Sequence, residues 1–163
     1  MVGAVLQYKG WSKNIFKVLF SGIDVSIWEF DVKYWESYGE NSLRYDFNEL
    51  DVIESELIKQ ELINKNSVVY PEFLEMFISN KAYYKETIKK YEDFIKSQYF
   101  ISLIIIDHRN IEICCKDSII MNQILSNFEK SELTDIKIDR LETIHQSSVL
   151  SAYRSKNEKG ICD

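Results

Sequence analysis

The alternation of apolar and polar positions is most informative between Tyr99 and Lys137. The run Phe100-Ile101-Ser102-Leu103-Ile104-Ile105-Ile106 is too β-branched and too continuous to face water on either side, so it predicts a strand buried on both faces. Asp107-His108-Arg109-Asn110 interrupts it as a four-residue polar turn. Ile111-Glu112-Ile113-Cys114-Cys115 then resumes with partial alternation, as a strand with a wetter face. The expectation is a central hairpin over about 99–115. After it, Asp117 is placed to cap a helix whose Ile120, Met121, Ile124, Leu125 and Phe128 form one broad apolar stripe. Thr134-Asp135-Ile136-Lys137-Ile138 is a final strand. Hairpin, helix and strand make a ββαβ unit, whose last crossover is right-handed if its strands run parallel.

Upstream the signals are shorter. Ala4 to Tyr8 reads as an opening strand closed by Gly10. Ser12 is a suitable N-cap for a helix carrying Ile15, Phe16, Leu19 and Phe20 on one stripe, and Gly22 falls where a helix ends with positive φ. Trp28, Phe30, Val32 and Tyr34 alternate with Glu29, Asp31 and Lys33, the pattern of a half-buried strand with one polar face. Gly39 to Asn48 reads as a loop. Asp51-Val52-Ile53-Glu54 resembles a capping box opening a helix to about Asn64. Ser67 to Ile78 is ambiguous: Pro71 could begin a helix, or Val68-Val69-Tyr70 could be a strand with Pro71 on an edge. The strand is preferred. Lys90 to Ser97 makes a short helix feeding the Phe100 strand. These elements predict a single α+β domain over 1–153 and a loose charged tail over 154–163. Its sheet is mixed or antiparallel around the hairpin, with helices mainly on one face.

A chain of 163 residues supports one domain with a real core. The formal charge of −6 argues against nucleic-acid binding, which needs cations to neutralise phosphates. The same charge keeps a domain soluble and suits a basic protein partner. Cys114 and Cys115 are adjacent on a strand and point to opposite faces, and Cys162 sits in the tail, so no disulfide framework or Cys-x-x-Cys metal spacing exists. The start, Met1 to Gln7, has no basic segment followed by a long apolar core, and no run reaches the roughly 18 residues of a membrane span. A reducing, cytoplasmic location with no membrane partner is the default expectation.

Chemistry is sparse. His108, beside Asp107, could act as a general acid or base from the turn, and His145 could join it if the two converge in space; a solvated turn residue is the plainer role for each. The pattern lacks a zinc spacing, a glycine-rich phosphate loop and a nucleophile elbow, so no metal, no cofactor and no confident catalytic residue is expected. Carboxylate pairs such as Asp46 with Glu49 read as solvated surface. Aromatics are the one excess: Trp11, Trp28, Trp35, Tyr34, Tyr38 and Tyr45 in one region, and Tyr83, Tyr84 and Tyr91 in another. Core packing explains them best, but Trp35, Tyr38 and Tyr45 exposed together would make a partner-binding surface.

Gly22-Ile23-Asp24-Val25-Ser26 with Trp28, then Lys90-Tyr91-Glu92-Asp93-Phe94-Ile95-Lys96-Ser97, then Ile111-Glu112-Ile113-Cys114-Cys115-Lys116-Asp117, resemble an uncharacterised bacterial family, domain of unknown function number 2691, found mainly in low-GC Gram-positive bacteria. The resemblance is best over Ile88 to Ile138 and weaker over Ser21 to Tyr34. Met1 to Lys9 and Leu141 to Asp163 do not look like the family's ends. It implies a small cytoplasmic single domain and transfers no activity, cofactor or catalytic residue. The expected function is a non-enzymatic protein-interaction module, immunity- or antitoxin-like, that binds a basic partner. The alternative is a small-molecule-binding protein or small enzyme with a cleft near the Asp107/His108 turn. A homodimer built across the edge of the Trp28–Tyr34 strand is a third expectation.

Overall fold

Two strands with apolar side chains on both faces need neighbours on both edges and cover on both faces, and the architecture supplies them. The computed structural model describes residues 2–10, 12, 14–37, 71–80 and 86–141. Its strands are β1 (Val2–Lys9), β2 (Glu29–Ser37), β3 (Pro71–Ser79), β4 (Ile101–Ile106), β5 (Asn110–Cys115) and β6 (Thr134–Leu141). Its helices are α1 (Ile15–Leu19), α2 (Tyr91–Lys96) and α3 (Ser118–Glu129). The strands form one open six-stranded sheet in the order β2-β3-β4-β5-β1-β6. Every pairing in it is antiparallel. The α+β class and the antiparallel form of the sheet are therefore established.

Period-two alternation sorts the side chains into two layers. On one face, Leu74, Met76 and Ile78 of β3 stand beside Ile105, Leu103 and Ile101 of β4, which pair with Ile111, Ile113 and Cys115 of β5. Ala4 and Leu6 of β1 continue the layer. It packs in one cluster with Ile15, Phe16 and Leu19 of α1 and Met121, Ile124, Leu125 and Phe128 of α3. On the other face, Phe77 and Cys114 cluster with Phe94 of α2, Tyr99 and Ile88. Two of the three described helices thus share a face, and α2 covers part of the opposite one.

Several local expectations change. Both hairpin strands are interior, because β3 flanks β4 and β1 flanks β5. The wetter face expected of β5 is consequently dry, with Glu112 buried at 9% exposure. Asn110 belongs to β5, opposite Ile106, so the loop is Asp107 to Arg109. Asp107 and His108 both take positive φ, at 50° and 48°. The cap of α1 is Asn14 rather than Ser12: its side-chain oxygen accepts from the Lys17 amide at 3.2 Å, directly ahead of the first apolar helical residue. Ser67–Ile78 resolves in favour of a strand over Pro71–Ser79. Pro71 opens it, and the strand lies inside the sheet rather than at an edge, which the first position allows. Val68 to Tyr70 fall outside the described residues.

The β2 alternation holds only to Val32. A bulge there places Val32 opposite Met76 but Tyr34 opposite Glu75, so Tyr34 turns to the other face and meets Phe73 edge-on at 4.9 Å. On the β2 polar face Asp31 is buried, while Glu29 is half-buried and Lys33 exposed. Last, β6 pairs with β1 instead of closing on β5. The β5–α3–β6 connection therefore joins two parallel strands with β1 between them, and the expected ββαβ unit is split by the chain's own first strand. The loop at Gly39–Asn48, the helix from Asp51 to Asn64 and the 154–163 tail lie outside the described residues.

The Asp117 carboxylate accepts from the amides of Ile119 at 2.8 Å and Ile120 at 3.2 Å, two donors that the first turn of α3 leaves without helical acceptors. Asp117→Ala is expected to lower stability by about 1 kcal/mol, read as a shifted urea midpoint with an unchanged slope.

Candidate functional site

The end of the sheet at the 107–109 loop is also where β1 finishes and β6 begins. Register places Asn110 of β5, Gln7 of β1 and Lys137 of β6 side by side on the face opposite α1 and α3. The Gln7 amide donates to the Asn110 side-chain oxygen at 2.9 Å. Lys9 follows one pleat further along β1, and Arg109 leaves the loop beside it. Together with Tyr8, Asp135 and Ile136 these residues line an open cleft of about 660 Å³.

Its electrostatics run against those of the whole chain. Lys9, Arg109 and Lys137 supply three cations, and Asp135 is the one carboxylate among the lining residues. Lys9 pairs with Asp135 at 2.9 Å. The Lys9 ammonium, by hydrogen bond and charge, holds the Asp135 carboxyl below its ordinary range, and Lys137 adds to this. Asp135 takes positive φ, 50°, at the β1–β6 irregularity. Thr134 anchors the start of β6 by donating to the Lys9 carbonyl at 3.0 Å.

Tyr8 fixes the floor. Its ring packs edge-on against Phe128 of α3, at 5.9 Å between centroids. Its hydroxyl donates to the His108 carbonyl. Burial pushes the Tyr8 phenol up to about 12, with Arg109 partly opposing, so it stays a donor at neutral pH. The loop is thereby tied to the helical layer beneath the sheet.

The candidates named from sequence separate here. Asp107 is exposed and His108 half-buried on the loop next to the cleft, yet neither lines it. Their neighbours Arg109 and Asn110 do. His145, Tyr38 and Tyr45 lie outside the described residues, and Trp35 lies on β2 with its side chain outside them. Of the aromatics that are described, Trp28 sits in the core and Tyr34 and Tyr91 are half-buried. Trp28 meets Phe20 at 5.5 Å and Phe100 at 5.2 Å, and Tyr91 is half-buried near Phe94. Sequence reasoning missed Gln7, Lys9 and Lys137. They are single polar residues in alternating strands, and only strand register brings them together.

The opposite end of the same face holds a second polar group, built for packing. Asp31 accepts from the Tyr99 hydroxyl and pairs with Lys33. The Glu86 amide donates to the Tyr99 oxygen at 3.3 Å. Lys116 donates to the Ser97 carbonyl at 2.8 Å and lies over the Phe94 ring at 4.9 Å. Among the described residues no cluster of three or more His, Cys, Asp and Glu side chains could hold a metal ion. Among them, too, no helix is long and apolar enough to cross a membrane.

An open antiparallel sheet with a basic cleft at one end defines a small α+β protein. The chain belongs to the family described as protein of unknown function (DUF2691), whose model matches residues 1–149. The match runs from the first residue, so Met1 to Lys9 belong to the family pattern despite their weak resemblance. Val2 to Lys9 form β1, which contributes to both the sheet and the cleft. No curated protein and no solved structure matches the chain.

Burial pushes the Cys114 thiol up to about 12, with Glu112 and Cys115 adding to it, and pushes Cys115 up to about 11. Thiolate is the reactive form. With Cys162→Ser in place, native protein is therefore expected to show no fast-reacting thiol toward an aromatic disulfide reagent at pH 8, and two after unfolding in urea.

Burial also raises the Glu112 carboxyl above its ordinary range, which means the fold disfavours its charged form. That cost is full above the raised folded-state value and fades as pH falls through it toward the unfolded value. Glu112→Gln is expected to stabilise the protein at pH 7, with the gain shrinking as pH falls to about 4; urea unfolding of both proteins across that range checks it.

Proposed function

We propose that this protein is a binding module that captures a small phosphate- or carboxylate-bearing molecule in the cleft formed by β1, β6 and the 107–109 loop. The observation that carries this reading is the charge inversion: three cations and one carboxylate line the cleft in a chain of net charge −6. Local fields of this kind concentrate anions even on an acidic protein. Arg109 offers a planar fork suited to two oxygens of one anion, and Lys9 and Lys137 act as point charges on either side. Asn110 and Gln7 add amide groups for hydroxyls or carbonyls of the ligand. Asp135 competes with the ligand for Lys9, which makes the site reversible and salt-sensitive. The protein-interaction reading, with a basic partner on a face bearing Trp35, Tyr38 and Tyr45, rests on side chains outside the described residues.

Inorganic phosphate and citrate titrated at low ionic strength, followed by backbone amide shifts, test the proposal. Saturable shifts are expected at residues 7–9, 109–110 and 135–137. Arg109→Gln should weaken binding about tenfold, or about 1.4 kcal/mol, and Asp135→Asn should tighten it by releasing Lys9. An absence of saturable shifts at those residues for both anions, or an Arg109→Gln variant that binds as tightly as the parent, overturns the reading.

A further inference from the structure

We propose that β6 is a self-association edge: two copies join antiparallel through β6, about a two-fold axis at Ile138, making one continuous sheet across the pair. β6 ends the sheet order and pairs with β1 on one side, and among the described residues no strand pairs with its other side. At eight residues it is long for an edge, and it carries a row of backbone donors and acceptors along its outer side.

Proteins commonly guard such an edge with charge, and β6 is charged. Its charges alternate in sign, however, and that converts a guard into a register code. Lys137 and Asp139 share one face, both exposed, with Asp135 exposed at the irregular start of the strand, while Ile136 and Ile138 share the other and are only partly buried against the core. Residues directly opposite in an antiparallel pair meet on the same face, where opposite charges attract and like charges repel.

A two-fold at Ile138 sets Lys137 against Asp139 of the second copy, and this pair forms twice. Ile138 meets its own counterpart, and Ile136 lies under the methylenes of Arg140. A two-fold at Lys137 sets Lys137 against itself and Asp135 against Asp139. A two-fold at Asp139 sets that carboxylate against itself. Intermediate registers put a charge opposite an isoleucine. A two-fold at Ile136 also pairs unlike charges but shortens the ladder to Thr134–Ile138. The Ile138 register is therefore the longest one without a like-charge clash.

The opposite edge suits this less well than the sequence suggested. β2 is bulged between Val32 and Tyr34. Glu29, Phe30, Asp31 and Tyr34 also have further hydrogen-bond, ionic or ring interactions. The proposal rests on the β6 edge and stands whether or not the neighbouring cleft binds an anion.

Sedimentation velocity across the micromolar to millimolar range tests it on the whole protein. A monomer–dimer equilibrium is expected. Lys137→Glu sets two carboxylates against each other and Asp139→Lys sets two ammonium groups against each other, so each should weaken the dimer tenfold or more. The double swap Lys137→Glu with Asp139→Lys restores unlike pairs and should restore the dimer. Amide exchange on the unaltered protein gives an independent reading: outward-facing β6 amides should slow as concentration rises. A monomer at millimolar concentration, a dimer indifferent to both single changes, or a double swap that stays monomeric while keeping its native circular dichroism overturns the proposal.

Discussion

β4 and β5 are hydrogen-bonded to a neighbour on both edges and carry buried side chains on both faces, and this double burial is the constraint that organises the molecule. A hairpin alone in water would expose two rows of Ile, Leu and Cys and two unpaired edges. Pairing with β3 and β1 satisfies the edges. Two apolar layers satisfy the faces: α1 and α3 complete one, and α2 with Tyr99 and Ile88 completes part of the other. Each fully buried side chain of this hairpin contributes about 1.5–3 kcal/mol relative to exposure.

The cleft is a consequence of how that sheet ends. Continuing the hairpin sheet through β1 and β6 brings the last residues of one strand, the first of another and the 107–109 loop to one place. Tyr8 then ties the loop to α3, so the charged residues stand on a braced platform. Arg109 and Lys137 are far apart in the chain and converge because Gln7 stands between Asn110 and Lys137 in the register. Net charge describes the whole surface, whereas a ligand would respond to the few charges within a Debye length of it. An acidic chain with a basic cleft is therefore no contradiction.

The two ends of the same face illustrate different treatments of buried polarity. Asp31 is compensated by Tyr99 and Lys33, and Lys116 by the Ser97 carbonyl and the Phe94 ring. Glu112, in the middle of β5, has its carboxyl raised by burial and is the costly member of the face.

Residue patterns alone determined the elements with strong periodicity. The unbroken Phe100–Ile106 run, the partly alternating strand after it, the α3 stripe capped by Asp117 and the short strand before Gly10 all follow from the local preference of each side chain for a face. What only the tertiary structure decided is how those strands are ordered and where they slip. No local preference says that β1 inserts between β5 and β6, because its hydrogen bonds would be as good beside another strand; the choice belongs to the packed layers as a whole. The β2 bulge, invisible in an alternating sequence, sends Tyr34 to the face opposite Val32 because the strand must match β3. The cleft shares this origin: Gln7, Lys9, Arg109 and Lys137 carry no common spacing in the chain, and only cross-strand register makes them neighbours.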